Sequence, residues 1–238
     1  MKIKNFSLVF IFCTTISFCC IAQDVEIIER ADYTPELNVT RFDLIDDKFD
    51  LTNHILVGKI KGITDHSKKN NLASLFRKFW NLSNSIGANA YKFETIETLN
   101  ETTIVILEIY RFNKEELIDN KKLYPENMIF VFGDADLHKP KEKNLILNDE
   151  KIRIAPMHFV SHQNSSGKVA TLSIGGFLGS KAWIRGEEGR LPIFFSFSGF
   201  GLGEAAQPGQ IGFNTGRFFP VDINLGLFLI NTLKEQKI

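Results

Sequence analysis

The chain has 238 residues with 28 basic and 28 acidic side chains, 44% hydrophobic residues, 22 phenylalanines and three cysteines. That balance gives no electrostatic case for nucleic acid and no polybasic patch for anionic lipid. The length suffices for one large core or two small ones.

The first 22 residues read as a secretory signal peptide. Lys2 and Lys4 precede an apolar run from Phe6 to Phe12 that continues weakly to Ile21, and Cys20-Ile21-Ala22 stands before Gln23 and Asp24. Thr14, Thr15 and Ser17 break the run below the roughly 20 residues of a membrane span. Lipidation of Cys19 or Cys20 is the less favoured alternative, because Phe18 and Cys19 stand where such signals want small residues. Cleavage after Ala22 removes Cys13, Cys19 and Cys20, so disulfides, thiolate metal sites and cysteine nucleophiles are excluded. It also leaves 26 basic against 28 acidic residues. The expected location is the periplasm or the exterior, with no transmembrane segment after cleavage.

Residues 23–53 form an N-terminal extension. From His54 to Ile63 the run HILVGKIKGI is short, apolar and β-branched, as a strand requires. Leu72, Leu75, Phe76, Phe79, Leu82 and Ile86 then recur at three- and four-residue steps, predicting one apolar stripe on a helix from Asn71 to Ile86. Gly87 follows where a helix end wants positive φ. Tyr91 to Ile96 alternates, Leu99-Asn100-Glu101 reads as a turn, and Thr103 to Phe112 is a second strongly β-prone run. The pattern is β-α-β-β over residues 54–125, closed by a charged helix or connector from Asn113 to Pro125.

At the joint Gly87-Ala88-Asn89-Ala90, glycine stops the helix, the alanines let the chain turn tightly against a sheet, and the Asn89 side chain can satisfy backbone groups. A helix, this joint and a strand resemble the small α/β envelope domains of the putative heavy-metal-binding family and of the Rcs stress-sensor lipoprotein, over residues 56–112. The resemblance implies a fold and no catalysis. With no cysteine in the mature chain, disulfide-based sensing does not transfer.

Glycine changes regime along the chain: four of 17 lie before residue 134 and 13 lie between Gly167 and Gly226. Residues 126–238 read as a Gly- and Phe-rich region of short strands at 128–133, 145–147, 152–155, 158–161, 169–174, 182–184, 193–197, 212–214 and 225–230. Asn148-Asp149, Ser166-Gly167 and Glu188-Gly189 punctuate them, and Asn148-Asp149 suggests a hairpin tip. The expected fold is α+β, a small β-α-β-β domain followed by an all-β, sandwich or barrel-like domain with a phenylalanine core.

Chemistry is sparse. His158 and His162 would share one face of a strand, and Asp134 and Asp136 alternate in GDADLH, so these four are the weak metal candidates; no HExxH supports them. Ser198-Gly199-Phe200-Gly201 lacks a nucleophile elbow, and GFGLG lacks the lysine and helix of a phosphate loop. Adjacent Glu187 and Glu188 mark a hairpin tip. Phe200 and Leu202, set among glycines, and Asn214 and Arg217, in a polar island, are the candidate partner-binding residues, although for Arg217 an internal pair with Asp222 is the favoured reading. The expected function is a non-catalytic binding or assembly role on another envelope protein, without a cofactor. The alternatives are a metal-dependent hydrolase sited at the domain junction and a carrier of a small apolar ligand.

Overall fold

In a computed structural model of the chain, residues 25–32, 39–68, 71–135, 137–174, 180–197 and 218–237 are described. In chain order they form β1 (Val25–Arg30), β2 (Asp43–Leu44), β3 (Ile55–Asp65), α1 (Asn71–Ser85), β4 (Ala90–Leu99), β5 (Thr102–Arg111), α2 (Lys114–Lys121) and β6 (Met128–Phe132). There follow β7 (Lys143–Leu147), β8 (Glu150–Ile154), β9 (His158–Gln163), β10 (Val169–Ile174), β11 (Ser180–Arg185), β12 (Ile193–Ser196), β13 (Phe219–Val221), α3 (Ile223–Thr232) and β14 (Lys234–Glu235). The fold is α+β, three sheets with three helices among the described residues. No helix among them is long and apolar enough to cross a membrane.

The first sheet has the order β1-β3-β5-β4-β2. Its centre is the expected β-α-β-β unit: β3 and β4 both pair antiparallel with β5, and α1 crosses between them. Leu72, Leu75, Phe76 and Phe79 of the α1 stripe are all buried. The N-terminal extension also contributes to this sheet. β1 adds an edge beside β3, and β2 pairs parallel with β4.

The joint after α1 has a specific geometry. Gly87 has φ of 87°, and the Ala88 amide donates to the Ser83 carbonyl at 2.9 Å, the six-to-one bond that ends a helix in a left-handed residue. Ala88 and Ala90 are fully buried. The Asn89 side chain accepts from the Phe112 amide and donates to the Phe112 carbonyl, each at 2.8 Å. It thereby supplies both partners that a missing strand residue would have supplied.

The charged connector is helical. Asn113 and Glu116 form a reciprocal capping box at the start of α2. Asn120 donates to the Leu44 carbonyl at 2.7 Å and accepts from the Asp46 amide at 2.9 Å, and Lys121 lies 3.1 Å from buried Asp43.

The second sheet runs β13-β12-β6-β9-β14 and the third β11-β10-β7-β8. They face one another across an aliphatic cluster that includes Ile129, Val131, Val160, Leu145, Ile152, Ile154 and Leu172. On its other face the second sheet offers Phe130, Phe132, Phe159 and Phe194, which pack against α3.

The segment 225–230 is a correction to the sequence reading. Expected as a strand, it is the middle of α3, capped by Asp222, whose carboxylate accepts from the Asn224 amide at 2.9 Å. Leu225, Leu227, Phe228 and Leu229 are all buried, so the helix is covered around most of its circumference and shows no polar face to betray its period. The C-terminal region is therefore not purely β.

α3 also joins the two halves. The Phe228 ring lies 5.2 Å from Phe76 and 5.6 Å from Phe93, and Gly226 sits directly over the Phe194 ring. One apolar cluster thus runs from the first sheet through α1 and α3 to the second sheet. The glycine change near residue 134 marks a change of strand length and turn density, while the core continues across it.

Candidate functional site

Of the metal candidates, Asp134, His158 and His162 are engaged separately. The Asp134 carboxylate binds Lys143 Nζ at 2.8 Å and accepts from the Lys141 amide at 3.0 Å, bracing the loop between β6 and β7. His158 and His162 do share one face of β9, as their spacing predicts. The His158 Nδ1 lies 2.8 Å from the Pro156 carbonyl and so carries the proton. His162 Nε2 lies 3.3 Å from the side-chain amide nitrogen of Asn148. Among the described residues no three His, Cys, Asp or Glu side chains come together as a metal would need. Asp136, Phe200, Leu202, Asn214 and Arg217 lie outside the described residues. Asp222, the expected partner of Arg217, caps α3 through one carboxylate oxygen. Glu187 pairs with Arg190 at 3.8 Å across a turn, but this is not the expected hairpin tip: β11 before it and β12 after it belong to different sheets.

A hollow of about 270 Å³ lies at the Asn89 joint, with Arg41, Arg111 and Lys114 among its lining residues. Its cations are offset: Arg111 is already engaged, and Glu115 and Glu116 follow Lys114 in the first turn of α2.

The outer face of the third sheet is different. Asn148 and Asp149, with φ of 49° and 70°, close the β7–β8 hairpin in the doubly left-handed turn that matches strand twist. β10 and β11 pair over six residues. Strand alternation then sends Leu145, Leu147, Ile152, Ile154, Ala170, Leu172 and Ile184 into the aliphatic cluster. The intervening positions point to solvent, and they include Lys151, Arg153, Lys181, Trp183 and Arg185, all exposed. Glu150 is the one acid in these four strands, and it has the inward parity, opposite Leu147.

The register fixes how the cations are laid out. Lys181 stands opposite Ser173, Ser173 opposite Ile146, and Ile146 opposite Lys151, so two ammonium groups end one row. At about 4.8 Å per strand, their backbones are about 14 Å apart. Arg153 lies one row to one side, and Arg185 two rows to the other. Trp183 stands between Lys181 and Arg185 and is 66% exposed. The Lys181 ammonium lies 5.5 Å from its ring centroid, within cation–π range. Arg153 reaches Glu142 at 3.4 Å, yet its side chain stays 70% exposed. A shallow hollow of about 330 Å³ opens between Lys151, Arg153, Asn144 and Ile146.

Each of these charges alone is worth little in water. With Glu142 offsetting Arg153, the four cations still leave an excess of about three positive charges on one face, a field that attracts anions. Total charge hid this patch from the sequence reading, which found no polybasic segment. The usable signal was alternation: in KIRI the cations are two residues apart, and in KAWIR Lys181, Trp183 and Arg185 occupy successive outward positions.

Comparison with known proteins gives no match: no family model, no curated protein sequence and no solved structure resembles the chain closely enough to place it.

Proposed function

We propose that the protein is an exported, non-catalytic binding protein of the cell envelope, and that it holds its partner on the outer face of the sheet formed by β11, β10, β7 and β8. The observation that carries the reading is the segregation of Lys151, Arg153, Lys181 and Arg185 onto one exposed sheet face with Trp183 among them, in a chain whose total charge is zero. In this reading the two packed C-terminal sheets are the binding module and the β-α-β-β unit with its extension is the support. The amino-terminal 22 residues direct export and are removed, which places the mature protein in the periplasm or outside the cell. The hydrolase alternative loses support from the separate engagement of Asp134, His158 and His162. The apolar-carrier alternative loses support from Phe130, Phe132, Phe159 and Phe194, whose rings pack on one another.

The test is co-sedimentation of the purified protein with a native envelope preparation. The reading predicts that the protein pellets with the envelope, that added salt releases it, and that Lys151→Glu, Arg153→Glu, Lys181→Glu and Arg185→Glu together abolish pelleting while the melting midpoint holds. A stable quadruple variant that pellets like the parent would overturn it.

A further inference from the structure

We infer that the partner held on this face is an extended acidic polysaccharide, a chain carrying uronate, sulfate or phosphate groups; the inference rests on the binding reading above. Three features of the face select that chemistry.

The first is the sign and spread of the charge. From Arg153 to Arg185 the cations cover three rows along the strands, about 20 Å, while also crossing from β8 to β11, about 14 Å. That diagonal track is too long for one small anion and suits a linear chain with charges at intervals. Arg185 offers a planar guanidinium fork that matches carboxylate or sulfate oxygens in pairs, and Arg153, exposed beside Glu142, would exchange that carboxylate for the ligand's.

The second is what lies between the cations. Thr171, Ser173 and Asn144 occupy outward positions of β10 and β7. They supply hydroxyl and amide groups that both donate and accept, as a sugar's hydroxyls require. A bilayer surface would ask for several apolar side chains to insert, as amphipathic anchors provide. Among the described residues, the exposed large apolar side chains on this face are Trp183 and Val169, at 66% and 52%.

The third is Trp183 itself. Its flat ring, steadied by Lys181 at 5.5 Å, stands on the track between two cations, where the C–H face of a pyranose can lie on it while the sugar's acidic group reaches the neighbouring ammonium. Single-stranded nucleic acid is held by successive aromatic platforms, and among the described residues this face has one, Trp183.

The experiment is affinity electrophoresis of the purified protein in native gels containing polygalacturonate, with dextran gels as the neutral reference. Flotation with phosphatidylglycerol vesicles and mobility shift of a thymidine oligonucleotide run in parallel. The expected result is retardation by polygalacturonate and not by dextran, weakening as salt rises. Trp183→Ala should weaken it by about tenfold, the weight of one lost ring contact. Lys151→Ala with Arg153→Ala, and separately Lys181→Ala with Arg185→Ala, should each weaken it by at least as much without moving the melting midpoint.

Binding to vesicles or oligonucleotide with none to polygalacturonate overturns the polysaccharide while leaving the face as the binding surface. Retardation that survives both double variants overturns the assignment to this face. If no probe binds yet envelope co-sedimentation still depends on the four cations, the polysaccharide class is wrong and the binding reading stands. If co-sedimentation ignores the cations, the binding reading itself fails.

Discussion

Replacing Gly226 by alanine tests how α3 holds the molecule together. In an ordinary helix interior the change would stabilise by about 1 kcal/mol, because glycine gives up more backbone freedom than alanine. Here a Cβ would lie 2.5 and 2.6 Å from two ring carbons of Phe194, against a comfortable carbon–carbon separation of about 3.5–4 Å. The ring cannot step aside: Phe194 is buried, stacked 5.0 Å from Phe130 and 6.1 Å from Phe132 with interplanar angles of 10° and 4°. Overpacking of this kind costs about 1–3 kcal/mol, and a clamped aromatic stack places the cost at the upper end. The balance is a net loss of about 2 kcal/mol, which for a chain of this size lowers the melting midpoint by about 4–8 °C. Differential scanning calorimetry reads it directly. Phe194→Leu should recover part of the loss when combined with Gly226→Ala, giving a favourable coupling in a double-mutant cycle. A midpoint that rises in Gly226→Ala would show that α3 does not press on the second sheet as described.

Three further expectations address the core, the joint and the buried phenols. Phe228→Ala should cost about 3–5 kcal/mol, and because Phe228 packs in the cluster shared by both halves, circular dichroism and tryptophan fluorescence should still report one common transition. Asn89→Leu keeps the branched shape but leaves the Phe112 amide and carbonyl unpaired; about 2–4 kcal/mol should be lost, whereas Asn89→Asp, which still accepts from the amide, should lose less. Burial holds the hydroxyls of Tyr91, Tyr110 and Tyr124 well above their ordinary value near 10. A group whose folded value is raised stabilises the fold below its unfolded value and loses that contribution as pH climbs toward the folded one. Stability should therefore fall above about pH 10, with three of the four tyrosines resisting phenolate formation until the protein unfolds, as absorbance titration would show.

Legibility followed periodicity. The α1 stripe, the positive φ at Gly87, the Asn100 and Asn148-Asp149 turns and the strands from β6 to β12 could all be read, because each leaves a local mark: a three-and-four spacing, a left-handed residue or an apolar run bounded by turn residues. α3 could not be read from its burial pattern, since a helix covered on most sides carries no polar stripe. The local mark it does leave is the Asp222 cap at its start. The two strands of the extension were hidden for the opposite reason: in β1, VEIIER stays almost wholly exposed at an edge, and β2 is two residues long. The cationic face was written in KIRI and KAWIR, but its meaning depends on β8 and β11 being opposite edges of one sheet, which only the register supplies.

The proposal stands or falls on whether the protein binds through the exposed face of β7, β8, β10 and β11. Its most direct test is lysine footprinting: the protein, free or bound to native envelope, is acetylated briefly and each lysine quantified by mass spectrometry. Lys151 and Lys181 should become protected on binding, while Lys114 and Lys122, exposed on α2 and its C-cap, react at an unchanged rate. Protection of the α2 lysines with Lys151 and Lys181 left reactive would contradict it.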